Sequence, residues 1–493
     1  MRPMARKTGQ GPPEIELEIA DFGPISRGKV VLRPLTVFVG PNGSGKSYAS
    51  VLAHSVVSSC ADIARVARSG DWAGVLLDSG EFYRLSSRVA RLAASANGGA
   101  AVPPGLSASI HECTIGRLFE GSLVSRMGHN FGSPLGALVR AGARSSRIRI
   151  RGPVRADVTI TRTGRATVRT GHGGVKYSIR GSSVTVASTA RGAPRGKAGA
   201  RNGRNGSRPY AKTPAAGHGS DALLWLAAEI AGHAISGKAC GASRYVPAAR
   251  SGIMCAYGTL APGVLAGRGA SRAAGTTSDL VDSLAGAGAT PRNGGSVGAG
   301  GIIHGVFGGR LDTARRGAGA MSYAHGGASV PMHMSSSGIV DTAPIELAAE
   351  AMVPGDTLVV EEPEAHLHPK SQVALAGRIA GLVRRGMRVI LSTHSPFLLE
   401  QLGIFVQLGA LSPPKRRGMD YGKDGYVGIG EVAAYAFAGS AGKGHTISAI
   451  DASADFGIPQ DEFVRVAEDM SKDENRLHFA RGDEHERAHA CNP

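Results

Sequence analysis

Gly40-Pro41-Asn42-Gly43-Ser44-Gly45-Lys46-Ser47 is the stretch from which the fold of this 493-residue chain is read. The apolar run Leu35 to Val39 precedes it, as a buried strand would. Behind it, from Ser47 to about Arg68, Val51, Leu52, Val56 and Val57 recur on one side of a helix. A strand, a glycine turn and a helix that opens on Lys-Ser make a cradle for phosphate. Glycines let the backbone wrap closely so that successive N–H groups point inward, and the helix N-terminus adds partial positive charge. Gly40, Asn42, Gly43, Ser44 and Gly45 are expected to line the phosphates of a nucleotide. Lys46 is expected to reach the β- and γ-phosphates, and the Ser47 hydroxyl to ligate Mg2+. A ligand-free glycine turn would not call for Lys-Ser at the helix start.

Working outward, the next ordered pattern with chemistry lies far downstream. Thr357 to Val360 reads as a second buried strand, and Glu361-Glu362-Pro363-Glu364-Ala365-His366-Leu367-His368-Pro369 follow it. Ligands bind at the carboxyl ends of strands in open α/β sheets. Glu361 is therefore assigned to Mg2+, through water, and Glu362 to accepting a proton from an attacking water. Pro363 ends the strand because it cannot donate to the ladder. Val373, Ala376, Ala380 and Val383 mark a helix that Gly386 is placed to end, and Val389–Leu391 reads as a third buried strand. Ser392-Thr393-His394-Ser395-Pro396 comes next, which puts His394 at a strand end within reach of a γ-phosphate. His366 and His368 make a weak metal pair. Ser335-Ser336-Ser337-Gly338 is a candidate anion site at a helix start, weak by itself.

The rest of the chain supplies charge and two low-complexity stretches. The formal net charge is +18. Ala141–Lys212 holds 17 Lys or Arg against a single acid, Asp157, so nearly all the excess lies there. Such density suits an anionic polymer, most plausibly nucleic acid, while a solvated face would show the same composition. Only Tyr177 and Tyr210 are aromatic in the tract, which gives little support to base stacking. From Arg147 to Val186 the apolar residues alternate as in antiparallel hairpins, with a turn at Thr163-Gly164 and another at Gly173-Gly174. Arg191–Pro214 reads as a flexible loop, Leu223 to about Ile235 as a helix, and Pro262–Gly301 as glycine-rich with little fixed structure. Ile15, Leu17 and Ile19 alternate as a half-exposed strand, and Ile447 and Ile450 fall in another. Pro459 is placed to start a helix with Phe463, Val464, Ala467 and Met470 as its apolar face; beyond Ser471 the tail reads as loose. Arg250, in Tyr245-Val246-Pro247-Ala248-Ala249-Arg250, reads as a phosphate contact or a structural ion pair, the second favoured. Five scattered cysteines argue against a disulfide framework and fit a reducing cytoplasm. No apolar run suggests a membrane span, and the basic start lacks the apolar stretch of a secretory signal.

Taken together, the order of these motifs resembles the ABC-type ATPases, and more narrowly the SMC, RecF and OLD-nuclease-like group of AAA ATPases. GPNGSGKS matches the Walker A motif, EEPEAHLHP that group's Walker B and D-loop, and STHSP the switch histidine; SSSG resembles a reduced ABC signature. Residues 15–60 and 330–400 carry the likeness. It implies an α/β P-loop NTPase with a split head: a mixed central sheet flanked by helices, an antiparallel β-hairpin insert and a helical, glycine-rich insert. The expected divisions are 1–140 and 330–470 for the head, 141–215 and 216–329 for the inserts, and 471–493 for the tail. The resemblance also implies that Ser336, Ser337 and Gly338 act in trans across an ATP-closed homodimer. Three departures stand out. No Gln occurs between Gln10 and Gln372, so the family's Q-loop glutamine is missing and Glu112 or a backbone carbonyl would have to stand in. The first Walker B acid is Glu361 rather than Asp. Neither a long coiled coil nor a Toprim nuclease segment is encoded.

These readings converge on a cytoplasmic ATPase that uses ATP and Mg2+, closes as a dimer and opens on hydrolysis. It would act on DNA through 141–212 or drive a partner nuclease or other effector. Two other classes fit less well: a nucleotide-gated scaffold that scarcely hydrolyses ATP, and the nucleotide-binding subunit of an ABC transporter.

Overall fold

The computed structural model describes residues 12–69, 80–95, 100–171, 175–180, 183–188, 210–212, 240–255, 275–277, 279–281, 301–312, 321–419, 421, 424–440 and 442–490. One mixed sheet of eleven strands organises them. In chain order these are β1 (Ile15–Phe22), β2 (Ile25–Leu32), β3 (Leu35–Val39), β4 (Ser145–Arg151), β5 (Arg155–Thr161), β6 (Ala166–Gly171), β7 (Ser243–Val246), β8 (Thr357–Glu361), β9 (Arg388–Thr393), β10 (Val432–Ser440) and β11 (Gly444–Ile450). Across the sheet the order is β7-β8-β9-β3-β10-β11-β2-β1-β4-β5-β6. The five strands from β7 to β10 run parallel. The strands from β2 to β6 are antiparallel.

The residue pattern explains the two halves. β3, β8 and β9 are buried along their whole length because helices cover both faces, so they need no polar alternation. Leu35, Val37, Val39, Leu358, Val360, Val389 and Leu391 enter one core; Phe38, Val359 and Ile390, with opposite parity, enter the other. The helices α1 (Lys46–Ser69) and α2 (Arg117–Phe131) pack on the Phe38 side. The helices α3 (Ser337–Glu350), α4 (Pro369–Arg384) and α5 (Pro396–Ala410) pack on the Leu35 side. In the antiparallel half, Ile15, Leu17, Ile148, Ile150, Val158 and Ile160 point inward while the residues between them stay wetter. Two small antiparallel sheets accompany the main one. The first joins Tyr210–Lys212, Ser183–Ser188, Val175–Arg180 and Ala100–Ala101; the second joins Arg310–Asp312, Ser322–His325 and Ala328–Pro331.

Several expectations change on contact with the structure. The boundary at 141 does not set the basic strands apart, because β4 pairs with β1 and extends the same sheet. Tyr210–Lys212 is a strand paired with Ser183–Ser188 inside the stretch read as a loop. The tail is a helix, α6 (Asp461–Ala490), and of its expected apolar face only Phe463 packs on the core. Val464 and Met470 are exposed. The helix at Leu223–Ile235, the turn at Gly173-Gly174 and most of Pro262–Gly301 lie outside the described residues. No helix among the described residues is long and apolar enough to cross a membrane.

Candidate nucleotide site

The carboxyl ends of β8, β9 and β3 finish level with one another. Glu361 pairs with Ser392, and Thr393 pairs with Val39. This register brings the glutamates, the His394 segment and the glycine loop to one edge of the sheet, although more than three hundred residues separate Lys46 from Glu361. At Gly40, φ is +145°, and a Cβ there would stand 2.5 Å from the Phe437 carbonyl oxygen. At Gly45, φ is +105°, and a Cβ would stand 2.7 Å from Ile25. Both positions need glycine for conformation and for space.

Lys46 is buried, and its ammonium donates to the Gly40 carbonyl at 2.7 Å and the Pro41 carbonyl at 2.8 Å. The lysine thus closes the loop on itself. Burial lowers its pKa from the ordinary lysine value, while Glu362, Glu462, Glu364 and Glu361 oppose the shift. Glu462 comes from the first turn of α6, so the C-terminal helix contributes to the field at the loop. Ser44 is buried with an unpartnered hydroxyl, whereas Ser47 and Asn42 are exposed.

The two glutamates differ. Glu361 is buried; its Oε2 accepts from the Ala248 N–H at 3.2 Å, and its Oε1 has no hydrogen bond. Glu362 is more open and adopts φ +43°, a left-handed conformation rare outside glycine. Its N–H donates to the Ser392 carbonyl at 2.9 Å, and its carboxylate lies 3.8 Å from His394 Nε2. Burial, and then Lys46, push the His394 pKa below the usual histidine value against the pull of Glu362, which favours a neutral ring.

Three supporting residues carry no motif of their own. Glu364 Oε1 accepts from the Thr393 hydroxyl at 2.8 Å and the His394 N–H at 2.7 Å. Gln372 donates to the Leu367 carbonyl at 2.8 Å and also hydrogen-bonds Ser395. Tyr48, directly after the GKS run, packs edge-on against Phe22 and tilted against Phe131, at centroid distances of 5.8 and 5.3 Å. It lines a recess of about 560 Å³ with Pro24, Ala137, Val139, Ala141 and Arg162. An aromatic next to the lysine-serine pair was the available sequence signal. His366 bonds Asp341, and His368 caps α4 by accepting from the Lys370 N–H at 3.3 Å, so each histidine already has a partner. Glu112 is exposed on a π-helical turn that packs near β6. Ser336 and Ser337 are exposed and Gly338 is buried at the start of α3; among the described residues, no hydrogen bond joins them to 40–47.

Residues 322–400 match a family model described as an AAA domain, putative AbiEii toxin, Type IV TA system. That stretch is similar to an AAA domain. The matched stretch holds α3, β8, α4 and β9 with most of the loops around them, including Ser336, Glu361, Glu362 and His394. Solved structures similar to the chain include an SmcHead bound to the C-winged helix domain of ScpA, at 12% identity and TM-score 0.39, covering 88% of this chain and 97% of that one. Another is the SMC head domain from Thermotoga maritima, at 11% identity and TM-score 0.35, covering 88% and 98%. A third is the Smc head domain with an extended coiled coil bound to the C-terminal domain of ScpA derived from Pyrococcus furiosus, at 11% and 0.37, covering 93% and 100%. No curated protein matches the chain.

Proposed function

We propose that this chain binds ATP with Mg2+, hydrolyses it to ADP and phosphate, and closes as a homodimer while ATP is bound. The observation that carries the reading is the level register of β8, β9 and β3, which gathers Lys46, Glu361, Glu362 and His394 at one edge.

In this reading Lys46 exchanges the Gly40 and Pro41 carbonyls for phosphate oxygens. The loop N–H groups and the start of α1 hold the remaining phosphate charge. The base enters the recess beside Tyr48, where an aromatic face and aliphatic walls suit a flat ring. Two groups support a cation here: Glu361 Oε1 is buried without a hydrogen bond, which a nearby cation would relieve, and Ser47 offers a hydroxyl across the edge. Mg2+, when bound, would neutralise charge on the β- and γ-phosphates. Glu362, the more solvent-accessible glutamate, takes the proton of the attacking water, and neutral His394 orients the γ-phosphate. The exposed start of α3 lets Ser336, Ser337 and Gly338 face a second copy, and ATP contacts made by both copies would exist only in the closed state. The outer face of the antiparallel strands supports a grip on DNA; a partner nuclease or effector would respond to closure.

Two variants test the site. Lys46→Ala should abolish nucleotide binding in a fluorescent-ATP titration. Glu362→Gln should keep ATP bound, lower turnover by roughly 10²-fold or more and hold the chain as a dimer in light scattering. Wild-type turnover in the glutamine variant would remove Glu362 as the base. A steady-state assay with and without DNA separates this reading from a scaffold that binds ATP but scarcely hydrolyses it.

A further inference from the structure

Arg250 is wholly buried, yet every hydrogen-bond partner of its guanidinium is a main-chain carbonyl. Nε donates to Asp341 O at 2.8 Å, Nη1 to Glu361 O at 2.7 Å and Pro247 O at 3.3 Å, and Nη2 to Glu362 O at 2.7 Å. Neither of the roles suggested by the sequence describes this geometry: the fork makes no ion pair among the described residues, and backbone oxygens take up its donors. Burial lowers the arginine's pKa from the usual value, opposed by the charges of Asp341, Glu364, Glu362 and Glu361. Arginine remains cationic in proteins, so its charge also helps to balance these carboxylates.

The partners come from three places that the proposed reaction needs together. Glu361 and Glu362 end β8. Asp341 lies in the first turns of α3, just past Ser336–Gly338, and its carboxylate meets His366 on the loop after the glutamates. Pro247 opens the turn whose Ala248 N–H holds the Glu361 carboxylate. Glu362 is the residue in the left-handed conformation, which is unfavourable for a side chain with a Cβ. Arg250 grips the carbonyls of Glu361 and Glu362, and so fixes the peptide groups on both sides of that conformation. A planar fork with five donors can bind all these segments at once; a lysine, with a single nitrogen, cannot reproduce the arrangement.

We propose that Arg250 is the positioning residue of this site: it holds the turn at Glu362 in the conformation hydrolysis requires and ties that turn to the start of α3, so that both respond to nucleotide as one unit. The proposal rests on the ATPase reading above. Arg250→Lys keeps the charge and removes the fork. Its kcat for ATP should fall by roughly 10- to 100-fold, the scale of a misplacement of about 1 Å, while nucleotide Kd stays at the wild-type value. In Arg250→Ala, guanidinium ion at millimolar concentration should restore part of the lost kcat without altering the melting temperature. Wild-type kcat in the lysine variant would overturn the proposal. So would a joint loss of kcat, nucleotide affinity and melting temperature that guanidinium leaves unchanged, since that pattern belongs to a residue acting on stability alone. An unaltered chain that neither binds nor hydrolyses ATP would remove the reading beneath the proposal, and this control is measured separately from the variants.

Discussion

Glu364 stands two residues beyond Glu362, but its surroundings are different. One oxygen holds the Thr393 hydroxyl and the His394 N–H, while Oε2 is buried without a hydrogen bond. Burial raises its pKa, and Glu362 adds to the shift, against the donors from His394 and Thr393. A carboxyl whose folded pKa is raised contributes stability below its unfolded value and loses it as pH rises through the folded one. Glu364→Gln keeps an acceptor for Thr393 and His394 and removes the ionisation. The variant's urea midpoint should therefore exceed that of wild type at mildly alkaline pH, because it no longer buries an incompletely satisfied charge. The gap should close towards roughly pH 4, where the ordinary carboxylate titrates. A gap that widens on acidification would show that the anion is needed to balance Lys46 and Arg250. Lys46, Glu361, Glu362 and His394 were legible as candidates because phosphate chemistry requires those residue types at strand ends. Arg250 was singled out, but its true partners were not legible, because they are backbone carbonyls that leave no pattern of residue types in a sequence; Glu364, held by the Thr393 hydroxyl and the His394 N–H, was given no role.

At the scale of elements, periodicity exposed what is buried on a face and missed what is not. β3, β8, β9 and α4 were legible from apolar runs or helical spacing. α6 gave no such signal beyond its first turns: from Asp461 to His478 it is exposed nearly all round, and a helix polar on all sides has no apolar stripe to read. Its order comes from local terms. Asp461 and Glu462 lie in the first turn, where the helix dipole favours acids. The ion pairs Lys472–Asp469 at 2.8 Å and Arg476–Asp473 at 3.1 Å each support an exposed helix by about 0.2–0.5 kcal/mol. Because Phe463 is the one residue of this helix against the core among those from Asp461 to His478, cutting the chain after Met470 should lower the melting temperature by less than about 2 °C in a calorimetric scan. A larger drop would mean that the distal turns brace the head in solution.

At the scale of the whole molecule, the parallel half gathers the candidate site and the antiparallel half carries the charge. That β4 continues the main sheet was not legible, because alternation within a strand does not name its neighbour and more than a hundred residues separate β1 from β4. Charge held the clue: Glu16 and Glu18 alternate on β1 and meet Arg151 and Arg149 across the ladder.

These pairings set how much of the basic tract remains for a polyanion. Arg149 is held by Glu18 and Asp157, both at 2.8 Å; Lys29 by Glu16 at 2.9 Å; and Arg151 by Glu16 at 3.1 Å. All are surface pairs, weak in water and screened by salt. Arg147, Arg155 and Arg169 are exposed and make no ion pair among the described residues. Arg147 and Arg169, with Arg27 and Lys29, line a concavity of about 1150 Å³ on the outer face of the sheet. Phosphates would meet the unpaired arginines first, since the paired ones must first give up a carboxylate. Changing Arg147, Arg155 and Arg169 together to Ser should weaken duplex DNA binding equally for unrelated sequences. It should also reduce the slope of log K against log salt by up to about 0.9 for each phosphate no longer neutralised. Fluorescence anisotropy over a salt series measures both quantities. If affinity and slope match those of wild type, this face is a solvated network of ion pairs, and DNA has no part in what its arginines do.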